Sequence, residues 1–239
     1  MKTIILFGAS SAIAQSYIEY IKSLKTDFNM ISISSSKILN SHCDSHFETD
    51  YSISNLANIV LILKQSHIEL HQVIIFNGQL HYARNMPEKK LEDINNEYFS
   101  ELMQSNTLIP LLCLQSLLPL LNHTTNCTIT ALSARVGSIE DNQLGGWYTY
   151  RASKAALNML FQTAAIELFR RAKNTKLLLF HPGTTDTQLS KPFQRNIPKD
   201  KLFTTQFVAE QLFELTQSKH LKFDGKVDYI DWQGKKIAW

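Results

Sequence analysis

Midway along the chain runs YTYRASKAALNML, in which Tyr150 and Lys154 stand four residues apart. On a helix that spacing places both side chains on one face, about one turn apart. A lysine ammonium beside a phenol favours the phenolate and lowers its pKa. A tyrosine tuned in this way can exchange a proton with a reacting oxygen near neutral pH. The chemistry on offer is acid–base work at a carbonyl or an alcohol. The spacing alone is also met in a half-buried tyrosine followed by a solvated lysine. Position weighs against that alternative: the pair opens a helical pattern soon after the strand-like run ITALS, in a chain whose first turn is led by glycine.

That first turn, in TIILFGASSAIAQ, has the outline of a phosphate-binding loop: an apolar run, Gly8, small residues, then a helical pattern. In dinucleotide turns one glycine permits the bend, a second lets backbone approach the pyrophosphate, and a third lets helix pack on strand. Here Gly8 keeps the bend, while Ala12 and Ala14 stand where the other two are expected. Helix N-terminal N–H groups bind anions without requiring glycine as such, and Ser10 and Ser11 add hydroxyls, so the turn reads as altered and usable. Read as a secretory leader, the same stretch fails, because its uninterrupted apolar core runs only from Ile4 to Phe7.

The elements that must position these groups alternate. Strand-like runs cover Thr3–Phe7, Asn29–Ile33, Gln72–Phe76, CTITALS from Cys127, LLLFH from Leu177 and Lys226–Asp231. Between them, helical patterns cover Ala12–Leu24, Asn55–Lys64, a long stretch from Glu97 to Leu121, Tyr148–Ala172 and Thr205–Gln217. Short apolar strands separated by helices predict an α/β fold, a doubly wound parallel sheet of Rossmann type with helices on both faces. The 239 residues carry no linker or repeat, so residues 1–239 read as one domain. Ligands of such sheets bind beyond the carboxyl ends of the strands, which gathers the loops after Phe7, Ile33, Phe76, Ser133 and His181 around one crevice.

Composition narrows the remaining classes. The 24 basic and 21 acidic residues nearly balance, which argues against a nucleic-acid or anionic-membrane partner. The greasiest segment, TLIPLLCLQSLLPLL, is interrupted by polar residues and prolines and falls short of a membrane span. Three scattered cysteines, Cys43, Cys113 and Cys127, suit neither a disulfide framework nor a zinc site and point to the cytoplasm. The histidines show no metal-ligand spacing, so no metal is expected, and His181 reads as structural.

Taken in order, GASSAIA, FNG at Phe76–Gly78, QSNT, the Tyr150/Lys154 pair and HPGTTDT resemble the short-chain dehydrogenase/reductase family over nearly the whole chain. The stretch from Ser133 to the Pro182–Gly183 segment looks most like the C-factor and sniffer-like carbonyl reductase branch. The resemblance implies hydride transfer between NAD(P) and a small carbonyl or alcohol. Tyr150 would be the acid/base, Lys154 would tune it and hold the nicotinamide ribose, and Asn106 would hold a water in the proton relay. Gly8, Ser10, Ser11, Ala12, Ile13, Asn77 and Gly78 would border the cofactor. Asp50 and Tyr51 would meet the adenine, and Pro182, Gly183, Thr185 and Thr187 the nicotinamide. Homodimers or homotetramers through the two long helices are also implied.

One family feature is displaced. The substrate-polarising serine usually stands three residues before a glycine, and counting back from Gly137 that column holds Ala134. Ser133 lies one earlier and Ser138 just past the glycine, and either could supply the hydroxyl, with Ser133 the better placed. The loop between Ser133 and Tyr150 is also longer than usual through IEDNQLGG.

For the cofactor, NAD sites place an acid after the second strand. Here that loop reads SISSSK, so Ser34, Ser35 and Lys37 suit a 2′-phosphate and favour NADP(H), with NAD(H) possible. The segment SKPFQRNIPKDKLF, from Ser190, is expected to cover the substrate. Its Lys191, Arg195, Lys199 and Lys201 would either welcome an acidic substrate or, as charge runs usually do, form a solvated lid. Two other functions fit the fold. A cofactor-binding redox sensor or signalling protein without turnover gains from the altered glycines but has no need of Asn106, Tyr150 and Lys154 together. A sugar-nucleotide epimerase would need a substrate domain for which little chain remains after Pro182.

Overall fold

The computed structural model describes residues 1–36, 42–82 and 85–239. Seven parallel strands form one sheet: β1 (Lys2–Phe7), β2 (Asn29–Ser34), β3 (Ser45–Glu48), β4 (Glu69–Ile75), β5 (Cys127–Leu132), β6 (Thr175–His181) and β9 (Asp228–Asp231). Their order across the sheet is β3-β2-β1-β4-β5-β6-β9. A two-residue pair, β7 (Thr184–Thr185) with β8 (Leu202–Phe203), stands apart and ties down the base of the segment between them. The chain reverses direction across the sheet between β1 and β4, and at such a switch point the strand ends open a crevice for a ligand.

The strands are apolar on both faces because both are covered. Ile5, Phe7, Ile31, Val73, Ile129 and Leu179 pack with residues of α2 (Ile53–Gln65), α4 (Ile109–Ser116) and α5 (Tyr148–Arg171). Their sequence neighbours Ile4, Leu6, Met30, Ile74 and Phe180 pack with α1 (Ala12–Ser23) and α6 (Thr205–Thr216) on the other side. Alternation with a period of two is what a pleated strand imposes. Side-chain oxygens cap several of the helices: Ser11 accepts from Ala14 N, Ser52 from Asn55 N, Asn95 from Tyr98 N, and Thr204 from Phe207 N.

The expected helix from Glu97 to Leu121 is more than one element. Helix α3 (Asn96–Met103) passes through a wide π turn at Gln104–Leu108 into α4, and a 3₁₀ turn follows at Leu118–Leu120. Pro110 explains the widening. It has no N–H to return to the carbonyl four residues earlier, which is that of Asn106. The half-exposed strand β3 and the β7/β8 pair lay outside the sequence-based assignment.

Candidate active site

The strand ends and the helices that follow them enclose a cavity of about 680 Å³. At one end lies the start of α1, with Ser10, Ser11, Ala12 and Ile13 on the wall. Gly8 turns the chain there with φ +68°, and a Cβ at Gly8 would come within 2.9 Å of Asn77 N. Only glycine combines that left-handed backbone with that approach. The first N–H groups of α1 lack helical partners by construction and point out of its N-terminus. Ser11 spends its oxygen on the cap and keeps its proton to donate. Ala14 is fully buried against the core, so its methyl is accommodated where glycine was expected.

At the other end stand Tyr150 and Lys154, both buried. Lys154 Nζ donates to Leu132 O at 2.8 Å and lies 5.9 Å from the centre of the Tyr150 ring. Burial pushes the lysine down to about 8. It pushes the Tyr150 phenol up, with a smaller contribution from Tyr229. This corrects the expectation drawn from the spacing: in the protein alone the tyrosine holds its proton more tightly than usual, because desolvation of the phenolate outweighs the neighbouring cation. At neutral pH the phenol therefore carries its proton.

Asn106 sits behind the wall rather than on it. Its side chain accepts from Gln79 N at 2.6 Å, donates to Gln79 O at 2.8 Å and donates to Ser153 Oγ at 3.0 Å. The π turn brings Asn106 to the loop after β4 and to α5 at once. Thr107 reinforces the link by donating to Ser153 O at 2.8 Å. Gly78 fills the space between, where a Cβ would lie 3.2 Å from Lys154 Nζ.

Both candidate serines already have partners within the chain. Ser133 donates its proton to Asn158 Oδ1 at 2.6 Å, within a polar group that includes Tyr229. The residue packed against Tyr150, with Leu80, Tyr98 and Leu102, is Ala134. Ser138 is buried elsewhere, donating to Trp239 O and accepting from Asp141 N. Ser133 borders the cavity while Ser138 does not, and the family's serine column presents the methyl of Ala134.

On the nicotinamide side, Pro182, Gly183, Thr185 and Thr187 border the cavity as expected. Thr185 and Thr187 bond only local carbonyls, those of Gly183 and Thr185, at 3.4 Å. The adenine side lies beyond the cavity wall. Gly8 N donates to Tyr51 Oη at 3.1 Å, and the exposed Asp50 accepts from Ser52 N. Ser34 is buried and donates to Ser36 O at 3.1 Å. Ser35 is exposed, and Lys37 lies outside the described residues.

Two buried polar atoms on the cofactor half have no hydrogen-bond partner among the described residues, Asn77 Oδ1 and His181 Nδ1. Asn77 lies beside the Tyr51 hydroxyl, and burial pushes His181 down to about 4, so its ring is neutral at physiological pH. Buried polar atoms are rarely left bare in native proteins. A glycine bend, a helix N-terminus and two unsatisfied polar atoms along one crevice fit a dinucleotide.

The substrate half is lined by residues the sequence reading passed over: Leu80, His81, Val136, Trp147, Leu189 and, inside the expected covering segment, Phe193. Its lysines and arginine do not border the cavity, and Lys191 is drawn off by Asp186 at 3.8 Å. A further unforeseen residue is Glu88. Trp147, which opens α5, has φ +54° and no capping side chain of its own. Glu88 caps the helix instead: its carboxylate accepts from Thr149 N and from Thr149 Oγ1, and its carbonyl accepts from Trp147 N at 2.6 Å.

The family model for short chain dehydrogenases matches residues 2–198. Among curated relatives, 1-hydroxy-2-glutathionyl-2-methyl-3-butene dehydrogenase of Rhodococcus sp. (strain AD45) is 35% identical over 113 residues, 47% of this chain and 48% of the relative, so the match spans about half of each. The C-signal protein of Myxococcus xanthus is 26% identical over 149 residues, 62% of this chain and 83% of that protein. Among solved structures, the carbonyl reductase Sniffer of D. melanogaster superposes with a TM-score of 0.83 at 17% identity, covering 100% of both chains. An NADPH-bound carbonyl reductase from chicken fatty liver superposes with a TM-score of 0.80 at 18% identity, covering 99% of this chain and 98% of that one. No helix among the described residues is long and apolar enough to cross a membrane.

Proposed function

We propose, on the premise that the chain belongs to the short-chain dehydrogenase family and is an oxidoreductase, that it is an NADPH-dependent reductase of a small carbonyl compound. The observation that carries this reading is a single cavity with the Tyr150/Lys154 pair at one end and the N-terminus of α1 at the other. Gly8, the first turn of α1, Asn77, Gly78 and the Pro182–Thr187 segment would hold the cofactor, which supplies the hydride when bound. Tyr150 would donate its proton to the carbonyl oxygen as the carbon is reduced. Lys154 would hold the ribose hydroxyls and restore the proton of Tyr150, with Asn106 fixing the relay behind it. Ser133 keeps a structural place, and the reacting oxygen relies on Tyr150 alone among the hydroxyls considered above. The preference for NADPH rests on the absence of an acid after β2 and on the cation Lys37.

The same reading takes residues 1–239 as one domain, assembling as a homodimer or homotetramer in the cytoplasm without nucleic-acid or membrane partners. A panel of uncharged carbonyl compounds, each followed by loss of NADPH absorbance, tests it, with NADH run in parallel. Consumption of NADPH matched by alcohol product is the expected result. Ala12 and Ala134 give the second reading, a sensor that binds cofactor without turning over, its one footing. NADPH binding with no carbonyl reduced anywhere in the panel would favour that reading.

A further inference from the structure

The loop after β2 is held by a side chain from the neighbouring strand. In the parallel ladder Ser32 of β2 pairs with His46 of β3. The His46 ring bridges strand and loop: its Nδ1 meets Ser32 Oγ at 2.8 Å and its Nε2 meets Ser36 O at 3.0 Å. A carbonyl can only accept, so Nε2 carries a proton and donates it to Ser36. In the neutral ring Nδ1 accepts from Ser32, whose hydroxyl has Ser45 O at 3.3 Å as its other partner. Both ring nitrogens are engaged, which fixes the orientation of the ring.

What the ring holds is a turn. Ser36 O also accepts from Ser34 Oγ at 3.1 Å, so two side chains draw that carbonyl back onto the strand end. The N–H groups of Ser35 and Ser36 have no partner among the described residues, and the Ser35 side chain is exposed. Successive N–H groups in a turn, with hydroxyls beside them, can cradle an anion. In a doubly wound sheet the end of the second strand is where the cofactor's adenosine ribose is recognised at its 2′ position. Glu48, which pairs with Ser34 in the ladder, is exposed, so its charge is screened by solvent.

We infer that His46 is a positioning residue for the 2′-phosphate of the cofactor: it fixes the turn at Ser34–Ser36 in the shape that offers the Ser35 and Ser36 N–H groups and the Ser35 hydroxyl to that phosphate. It acts through the turn and takes no part in hydride or proton transfer. Hydrogen bonds to an ionised phosphate are roughly twice as strong as those between neutral groups. NADH has a hydroxyl in place of the phosphate and asks far less of the turn, so loss of the ring weakens one cofactor and spares the other. This inference rests on the reductase reading above, which takes NADPH as the cofactor.

Fluorescence titration of wild type, His46→Ala and His46→Gln with NADPH and with NADH, at one salt concentration, tests it. His46→Ala should raise the Kd for NADPH about tenfold and leave that for NADH within about twofold. Turnover at saturating NADPH should be unchanged, so that the loss falls on KM. His46→Gln, whose amide can still donate to Ser36 O, should recover much of the NADPH affinity. Adenosine 2′,5′-bisphosphate, which lacks the nicotinamide half, should lose affinity in His46→Ala as NADPH does, and 5′-AMP should not. His46→Phe keeps a ring without the nitrogens, and the same selective loss is expected of it should the smaller side chain unsettle β3. Equal losses for NADPH and NADH would give the ring a merely structural role and overturn the inference, as would an unchanged Kd for NADPH. A wild type that binds both cofactors equally and reduces carbonyl compounds with either would overturn it and leave the reductase reading standing. A wild type that binds neither overturns the reductase reading, and this inference with it.

Discussion

Under the proposed mechanism, the proton inventory at Tyr150 sets the direction in which the site works best. Burial raises the phenol and lowers Lys154 to about 8, so at neutral pH the tyrosine is protonated and the lysine charged, the state that reduction requires. Above about 8 the lysine sheds its proton and its hold on cofactor and relay weakens. The account predicts that kcat/KM for reduction is level at neutral pH and falls as pH rises through that value, and that Lys154→Arg shifts the fall upward. A profile that rises through the same range would contradict it. The neighbouring hydroxyls give a second prediction. Because Ser133 already donates to Asn158, Ser133→Ala should cost stability and leave turnover little changed. Ala134→Ser places a donor beside Tyr150 and should raise kcat/KM by about tenfold, on the order of 1.4 kcal/mol and less than a fully built oxyanion donor supplies. Steady-state kinetics of the two variants check both halves. Ala134 could be found by counting back from Gly137, but which way Ser133 points could not, because Asn158 and Tyr229 come to it from distant parts of the chain.

Among the elements, α5 carries Tyr150 and Lys154, and its start is fixed from outside. Gly145, Gly146 and Trp147 all have left-handed backbone, so the helix begins abruptly and without a cap of its own. The buried Glu88 carboxylate accepts from the N–H and the hydroxyl of Thr149 in the first turn, at the positive end of the helix. Removing it should loosen the turn that aims Tyr150. Glu88→Ala is predicted to lower the melting temperature by about 5 °C, consistent with a lost cap in a domain of this size. Glu88→Gln should fall between that variant and wild type. A calorimetric scan of the three proteins checks it, and an unchanged melting temperature in Glu88→Ala would remove the cap from the account. This contact was not legible beforehand, since 61 residues separate Glu88 from Thr149 and a single glutamate carries no pattern. The π turn was half legible: QSNT marked Asn106, and Pro110 four residues on was the signal for the widening.

Over the whole molecule, the parallel α/β sheet followed from the sequence because its central strands are continuous apolar runs separated by helical patterns. The edge strand β3 escaped because SHFE is half exposed and lacks that signature. The lone aromatic and histidine side chains of the substrate wall escaped because they converge only in three dimensions. The outer face of α5 also exposes Met159, Ile166 and Phe169, spaced seven and three residues apart and so on one stripe. A stripe of that kind favours burial against a second copy. The protein is predicted to elute as a dimer or tetramer in size-exclusion chromatography with light scattering, and Ile166→Glu with Phe169→Glu to shift it toward monomer; a monomeric wild type would contradict this. The central claim, that this chain reduces a carbonyl with Tyr150 as its acid, is tested most directly by Tyr150→Phe. NADPH affinity should match wild type, while turnover of any reduced carbonyl falls by about 10²–10⁴-fold, the usual worth of a general acid. A variant that binds NADPH and still turns over at the wild-type rate would contradict the account.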